Sequence, residues 1–248
     1  MRSYRALISS DWNECLAPCG PFDFISFAYP ELETRFQAIF RQYTSNSITL
    51  GEAIGRLQGL LPGSITEQQM DAYLEQSFQT YTGVPELIDW CTDHGIWFMI
   101  NTTGMLGYFQ RIFVKGLLPP VPALSAHPMT RYVPRQTDPR HVYELFEIQD
   151  KPKHTESVMR LLNIPPQRVI IMGDSGGDGP HFEWGRSVGA LLVASMTKAS
   201  LEAYCRSKGI AIDVRFGVSH TVESAKVLEK ELQVDFVELI PMIEEILA

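Results

Sequence analysis

Four stretches of the chain place charged or hydroxyl-bearing residues directly after an apolar run or just ahead of a helical pattern. Leu7-Ile8-Ser9-Ser10 runs into Asp11-Trp12-Asn13, and Phe98-Met99-Ile100 runs into Asn101-Thr102-Thr103-Gly104. Val169-Ile170-Ile171-Met172-Gly173 runs into Asp174-Ser175-Gly176-Gly177-Asp178, and Asp150-Lys151-Pro152-Lys153 lies between the last two. Carboxylates gathered on one rim repel each other unless a cation sits among them. An oxygen donor set of this kind suits Mg²⁺, which takes one or two carboxylates and keeps several waters. A nearby threonine hydroxyl, a lysine and Gly-rich backbone N–H groups suit a phosphate. Each signal alone has a plainer reading. A strand-end Asp is often a turn former or a helix cap, Thr102 could cap the next helix, and the two lysines could be solvated. The constellation carries the inference because every member falls at an element boundary.

Those boundaries come from the hydrophobic pattern. Tyr4 to Ser10 reads as a buried strand. Pro21 to Thr82 reads as helices only: Leu32, Phe36, Ile39, Phe40 and Tyr43 recur at helical spacing, and Thr49-x-x-Glu52 and Thr66-x-x-Gln69 are capping boxes. Then the rhythm alternates. A helix over Pro85–His94 precedes a strand over Ile96–Asn101, and a helix over Met105–Lys115 precedes a proline-rich, irregular segment from Leu118 to Pro139. A helix over His154–Asn163, a strand over Arg168–Gly173, a helix over His181–Val188 and a strand over Ala190–Ala194 come next, and Val222–Ala248 reads as mostly helical. Alternating strands and helices imply an α/β fold with a Rossmann-like parallel sheet covered on both faces. Ligands in such sheets gather at the carboxyl ends of the strands, where Asp11, Thr102 and Asp174 fall. His127 and His181 read as loop or helix-surface residues, and the aromatics of the helical block read as its core.

Composition narrows the alternatives. A chain of 248 residues with 45% hydrophobic content can bury a core without staples, and 29 acidic against 21 basic residues leave it at -8. That balance denies it the broad basic face a nucleic-acid binder needs. Cys15, Cys19, Cys91 and Cys205 form no CxxC pair, so they read as reduced thiols of a cytoplasmic protein. The N-terminal residues lack a signal-peptide apolar stretch, and no apolar run approaches the length of a membrane span, so no membrane association is expected.

The order of these motifs resembles that of the haloacid dehalogenase superfamily of phosphoaspartate hydrolases. Leu7 to Leu16 is similar to the family's first motif, an apolar strand followed by D-x-D-G-T-L. Phe98 to Thr102 is similar to the second, Asp150-Lys151-Pro152 to the Gly-Lys-Pro of the third, and Val169 to Asp178 to the G-D-x-x-x-D of the fourth. The resemblance implies a Rossmann-like core over residues 1–16 and 83–248 and a small helical cap over 17–82. It implies Mg²⁺-dependent hydrolysis of a small phosphorylated metabolite, a phosphate monoester, through an aspartyl phosphate on Asp11. Thr102, with Thr103 as the alternative one residue on, and Gly104 would bind the phosphate. Lys151 would neutralise charge, with Lys153 as competitor for that role. Asp11, Asn13 through its carbonyl, Asp174 and Asp178 would hold the metal.

The first motif departs from the family's pattern at three positions. The family's phosphatases carry a second Asp two residues after the nucleophile as general acid/base, and here that position is Asn13, whose amide cannot donate and recover a proton. Glu14 stands in place of the usual Gly and Cys15 in place of the usual Thr, and Glu14 is the candidate substitute acid. A weakened or inactive relative that binds metal and a phosphorylated ligand is therefore the rival reading. Phosphonatases of the family need a cap lysine, whereas the first lysine of this chain is Lys115. Dehalogenases carry an aromatic residue at the Asn13 position.

Overall fold

The computed structural model describes residues 4–44, 47–220 and 227–247. Short runs of Val, Ile, Leu, Ala and Met pair side by side as seven parallel strands: β1 Ala6–Ser10, β2 Ile96–Met105, β3 Ala123–His127, β4 His141–Glu144, β5 Val169–Gly173, β6 Leu191–Ser195 and β7 Val214–Phe216. Their order in the sheet is β4-β3-β2-β1-β5-β6-β7. β1, β2 and β5 are buried on both faces, as parallel strands flanked by crossover helices must be. Alternate residues face opposite ways. Ile8, Phe98, Ile100, Ile170 and Met172 share one core cluster, while Leu7, Trp97, Met99, Val169 and Ile171 share the other. Register then sets the rim, because Ser10 stands beside both Ile100 and Met172. The residues just past these positions therefore emerge together.

Helices α1 Asp23–Ala28, α2 Glu33–Thr44, α3 Leu50–Leu60 and α4 Glu67–Ser77 come after β1. Both capping boxes form, with Thr49 and Glu52 exchanging bonds of 2.9 and 3.2 Å and Thr66 and Gln69 doing the same. The core supplies a further cap: Glu147 accepts from the N–H groups of Leu50 and Gly51, at 3.2 and 3.0 Å. Helices α5 Val84–Asp93, α6 Leu106–Val114, α7 Asp150–Leu162, α8 Gly179–Val188, α9 Ala199–Lys208, α10 Leu228–Glu231 and α11 Leu239–Leu247 complete the chain. Arg111 of α6 ties α4 to the core, bonding Asp71 through Nε and Nη2 at 2.7 and 2.8 Å and Glu67 through Nη1 at 2.6 Å. No helix among the described residues is long and apolar enough to cross a membrane.

The α/β expectation holds, and several local expectations do not. The segment read as irregular contains β3, a fully buried strand hidden in the sequence by the prolines around it, and β4 lies just beyond. Helix α7 begins at Asp150 rather than His154, because Pro152 falls in the first turn, where a missing N–H costs no helical bond. Part of the expected C-terminal helical segment, residues 222–226 and 248, lies outside the described residues. Ahead of it the structure adds α9 and β7, which the hydrophobic pattern does not predict. His127 and His181 are buried rather than on the surface.

Candidate active site

Asp11 closes β1, its N–H bonded to the Met172 carbonyl of β5 at 3.0 Å. The chain then turns sharply: the Trp12 carbonyl accepts from Cys15, Leu16 and Ala17, while the buried Trp12 ring meets Phe109 edge to face. From the neighbouring strand end, Asp178 folds back over its own loop. Its Oδ2 accepts from the N–H groups of Asp174 and Ser175, at 3.0 and 3.2 Å, and its Oδ1 accepts from Lys151 Nζ at 2.6 Å. Gly173 makes this possible, because a Cβ there would lie 2.5 Å from Asp178 Cγ. Lys151 also reaches Asp11 Oδ1 at 3.1 Å, so one buried ammonium joins the ends of β1 and β5. Lys153 instead pairs with Asp150 at the surface. Helix rotation of about 100° per residue sends the two lysines to opposite sides.

Lys151 is held from behind by a buried polar network. The Asn101 amide donates to the Lys151 carbonyl, to Ser9 Oγ and to Thr155 Oγ1 at 2.9, 3.2 and 3.1 Å. Thr155 in turn meets Ser9 at 2.7 Å and His181 Nε2 at 2.9 Å. Burial pushes His181 down to about 3, which keeps the ring neutral within this network.

Beyond Asn101, β2 carries an irregularity in its pairing with β3 between Asn101 and Met105. There the Thr102 hydroxyl accepts from the Gly104 N–H at 3.0 Å and donates to Asn13 Oδ1 at 3.1 Å. A Cβ at Gly104 would lie 2.9 Å from that same oxygen, so this position stays bare. The Asn13 amide donates to the Cys19 carbonyl at 3.3 Å. Thr103, and not Thr102, lines the cavity above Asp11, as does Tyr43 of α2. The cavity holds about 480 Å³ and is also lined by Asn13, Glu14, Lys151, Asp174 and Lys198.

Asp11, Asp174 and Asp178 each bring one oxygen to within 4.8 Å of the others. Burial pushes the Asp11 carboxyl up, opposed by Lys151 and reinforced by Asp178. Burial likewise pushes Asp174 up to about 8, against the pull of Lys198. Asp178 is also buried, yet the Lys151 ammonium and two backbone donors hold it below the usual carboxylate range. Asp11 Oδ1 and Asp174 Oδ2 each meet a lysine ammonium, at 3.1 and 2.8 Å, but no hydrogen bond is aligned on either atom. Two buried, under-satisfied hard oxygens fit a small divalent cation. Sequence reasoning missed Lys198, which bridges Asp174 and Glu14. Its one signal is its place just past the end of β6, on the rim where the other strand ends deliver their polar residues.

No protein-family model matches the chain. No curated protein matches it either. Solved structures do. A phosphoserine phosphatase determined as a phospho-aspartyl intermediate analogue superposes with a TM-score of 0.66 at 14% identity, covering 97% of this chain and 99% of that one. A HAD-family hydrolase from Salmonella enterica serovar Typhi gives 0.68 at 16% identity, covering 98% of this chain and 73% of that one. A probable phosphoserine phosphatase from Vibrio cholerae gives 0.57 at 13% identity, covering 98% and 68%. The chain has the haloacid dehalogenase fold. Within that fold, the substitution at Glu14 takes on a physical meaning. Glu14 adopts φ 58°, the left-handed conformation that a glycine enters without steric cost. The turn is held by its N–H bond to the Ala17 carbonyl at 2.7 Å and by the Glu14–Lys198 ion pair. The four cysteines are free thiols.

Proposed function

We propose that this protein is a Mg²⁺-dependent hydrolase of small phosphate monoesters that works through a phosphorylated Asp11. The observation that carries the proposal is the buried Asp11 carboxylate facing a 480 Å³ cavity, with Lys151 at 3.1 Å and two further carboxylates converging on the same point. In the first step an Asp11 oxygen bonds to phosphorus as the phosphorus–ester oxygen bond breaks, and the leaving alkoxide takes a proton from solvent to depart as the alcohol. In the second, water attacks that phosphorus and the bond to Asp11 breaks, releasing inorganic phosphate and restoring the carboxylate. Lys151 offsets the negative charge of nucleophile and phosphoryl group, and Thr103 lines the cavity where phosphate oxygens would sit, whereas Gly104, expected there from the sequence, lies outside that lining with its N–H bonded to Thr102. Asp11, Asp174 and the Asn13 carbonyl would hold the cation, with Asp178 ordering the loop behind them. The cation supplies neutralisation of the phosphate charge, the largest need of phosphoryl transfer.

Asn13 favours a second reading, in which the protein binds phosphorylated ligands or stalls as phospho-Asp11. Both polar atoms of its amide are engaged, by Thr102 and by Cys19, and neither can relay a proton. Glu14, the other candidate acid, is engaged by Lys198. Phosphate release across a panel of phosphate monoesters, with and without Mg²⁺ and with Asp11→Asn as control, separates the two. Turnover by wild type alone establishes the hydrolase. Metal and phosphate binding without turnover establishes the binding protein.

A further inference from the structure

The charged part of the cavity belongs to the sheet rim, and the rest of its lining sets apolar side chains beside the hydroxyls of Thr103, Ser175, Ser200 and Ser207. Pro21, Phe40 and Tyr43 come from the helical segment after β1, Ile148 from the loop before α7, and Ala203 and Tyr204 from α9. Phe40 and Tyr43 sit three residues apart on α2, so they share one helix face. Tyr204 is fixed by a 2.7 Å bond to Glu183. Two cations line the cavity among the described residues, and carboxylates hold both: Lys151 by Asp11 and Asp178, Lys198 by Asp174 and Glu14. Among the described residues no arginine lines it. Arg111 and Arg135 are engaged by α4 acids, and Arg131 by Glu144.

We infer that the pocket selects phosphate monoesters whose leaving group is uncharged and apolar, best of all aromatic, and rejects amino-acid phosphates such as phosphoserine. The inference rests on the phosphate-monoester reading of the Asp11 site. Phosphoserine would bring a carboxylate and an ammonium into this lining. Each would need an opposite charge, and the lysines and carboxylates of the lining are already paired with one another, which leaves only neutral hydroxyls to meet a desolvated charge. An aromatic ring instead exchanges water for contact with Phe40, Tyr43 and Tyr204. This departs from the phosphoserine phosphatases whose fold the chain shares.

The test compares three phosphates of primary alcohols, so that leaving-group chemistry is held nearly constant: 2-phenylethyl phosphate, ethyl phosphate and phosphoserine. With Mg²⁺, kcat/KM for 2-phenylethyl phosphate is expected at least tenfold above ethyl phosphate and a hundredfold above phosphoserine. Phe40→Ala is expected to reduce the phenylethyl-to-ethyl ratio about tenfold. Phosphoserine turned over as well as the phenyl ester overturns the inference, and so does a Phe40→Ala loss shared equally by all three. If no ester is hydrolysed, the hydrolase reading fails, and the pocket is read by calorimetry with non-hydrolysable phosphonates. Tighter binding of 3-phenylpropylphosphonate than of 2-amino-4-phosphonobutyrate supports the inference. Equal, reversed or absent binding overturns it.

Discussion

Replacing Asn13 by Asp tests whether a missing proton donor limits this site. The side chain is held at both ends: Oδ1 accepts from Thr102 at 3.1 Å, and Nδ2 donates to the Cys19 carbonyl at 3.3 Å. In Asn13→Asp the first bond survives. The second oxygen then faces a carbonyl oxygen, acceptor against acceptor, unless it carries a proton to donate. The site would therefore hold the new carboxyl protonated, as a general acid requires, and acid–base help of this kind is worth about 10²- to 10⁴-fold in rate. The same geometry sets a cost. Once the carboxyl ionises, an unmatched pair of acceptors destabilises the fold by about 1–3 kcal/mol. For a chain of this size each kcal/mol lowers Tm by about 2–4 °C. The new group has a raised folded pKa, so its contribution to stability is present in acid and lost as pH rises through that value. The assay is Mg²⁺-dependent phosphate release from 2-phenylethyl phosphate, with the alcohol followed in parallel. Wild type is expected to release alcohol ahead of phosphate, and the variant to release both faster. A folded, metal-binding Asn13→Asp that releases phosphate no faster than wild type would refute the reasoning.

Three further predictions concern the same rim and its attachment to the helical segment. Lys198→Met removes a cation 2.8 Å from Asp174 that is 34% exposed. After solvent screening the pair is worth on the order of 1 kcal/mol, so the Mg²⁺ dissociation constant should fall about fivefold; calorimetry that finds equal or weaker binding counts against a competing lysine. With Asp174 pushed up to about 8, the metal-free protein carries a proton there at neutral pH. Mg²⁺ binding should then release close to one proton at pH 7, and affinity should rise with pH and level off above 8. Buffer-independent binding enthalpies at pH 7 would contradict this. Arg111→Met leaves Asp71 with only Lys115, at 3.8 Å, and Glu67 with only Arg135, at 2.8 Å, the two acids being 26 and 32% exposed. That should cost about 2 kcal/mol, below the range for broken buried pairs because the acids are partly solvated and keep other cations, and an unchanged Tm would show that Arg111 does not hold the helical segment in place.

The legible parts of this molecule were those encoded by neighbours in sequence. The Asp174–Asp178 loop announces itself because Gly173 must be bare for Asp178 to fold back, and apolar runs before Asp11 and Asp174 set strands whose ends emerge together. The two capping boxes were readable for the same reason. Features that depended on distant partners were not. Lys151 and Lys153 could not be told apart until α7 was known to start at Asp150, since a two-residue offset on a helix reverses the facing side. Thr102 and Thr103 divide their roles through an irregularity in β2 that only its pairing with β3 reveals. β3 itself was masked by flanking prolines, although each lies outside the strand and removes no ladder bond.

The departures in the first motif make sense together when the charges around the site are balanced. Asp11, Glu14, Asp174 and Asp178 face Lys151 and Lys198, so two more carboxylates than lysines meet there. One dication would offset that excess. Without it, protons must do so, and the two carboxyls with under-satisfied oxygens, Asp11 and Asp174, are the ones burial pushes upward. A second Asp at position 13 would add a further negative charge. In this chain that position is neutral, and the next residue, Glu14, instead turns through a left-handed backbone to engage Lys198. The carboxylate is thus displaced by one residue and bound to a cation that also touches Asp174. It restores the charge of the usual motif but not its proton donor. On this account Glu14→Gly relaxes the backbone yet frees Lys198 to bear on Asp174 alone, so it should weaken Mg²⁺ binding, opposite in sign to Lys198→Met.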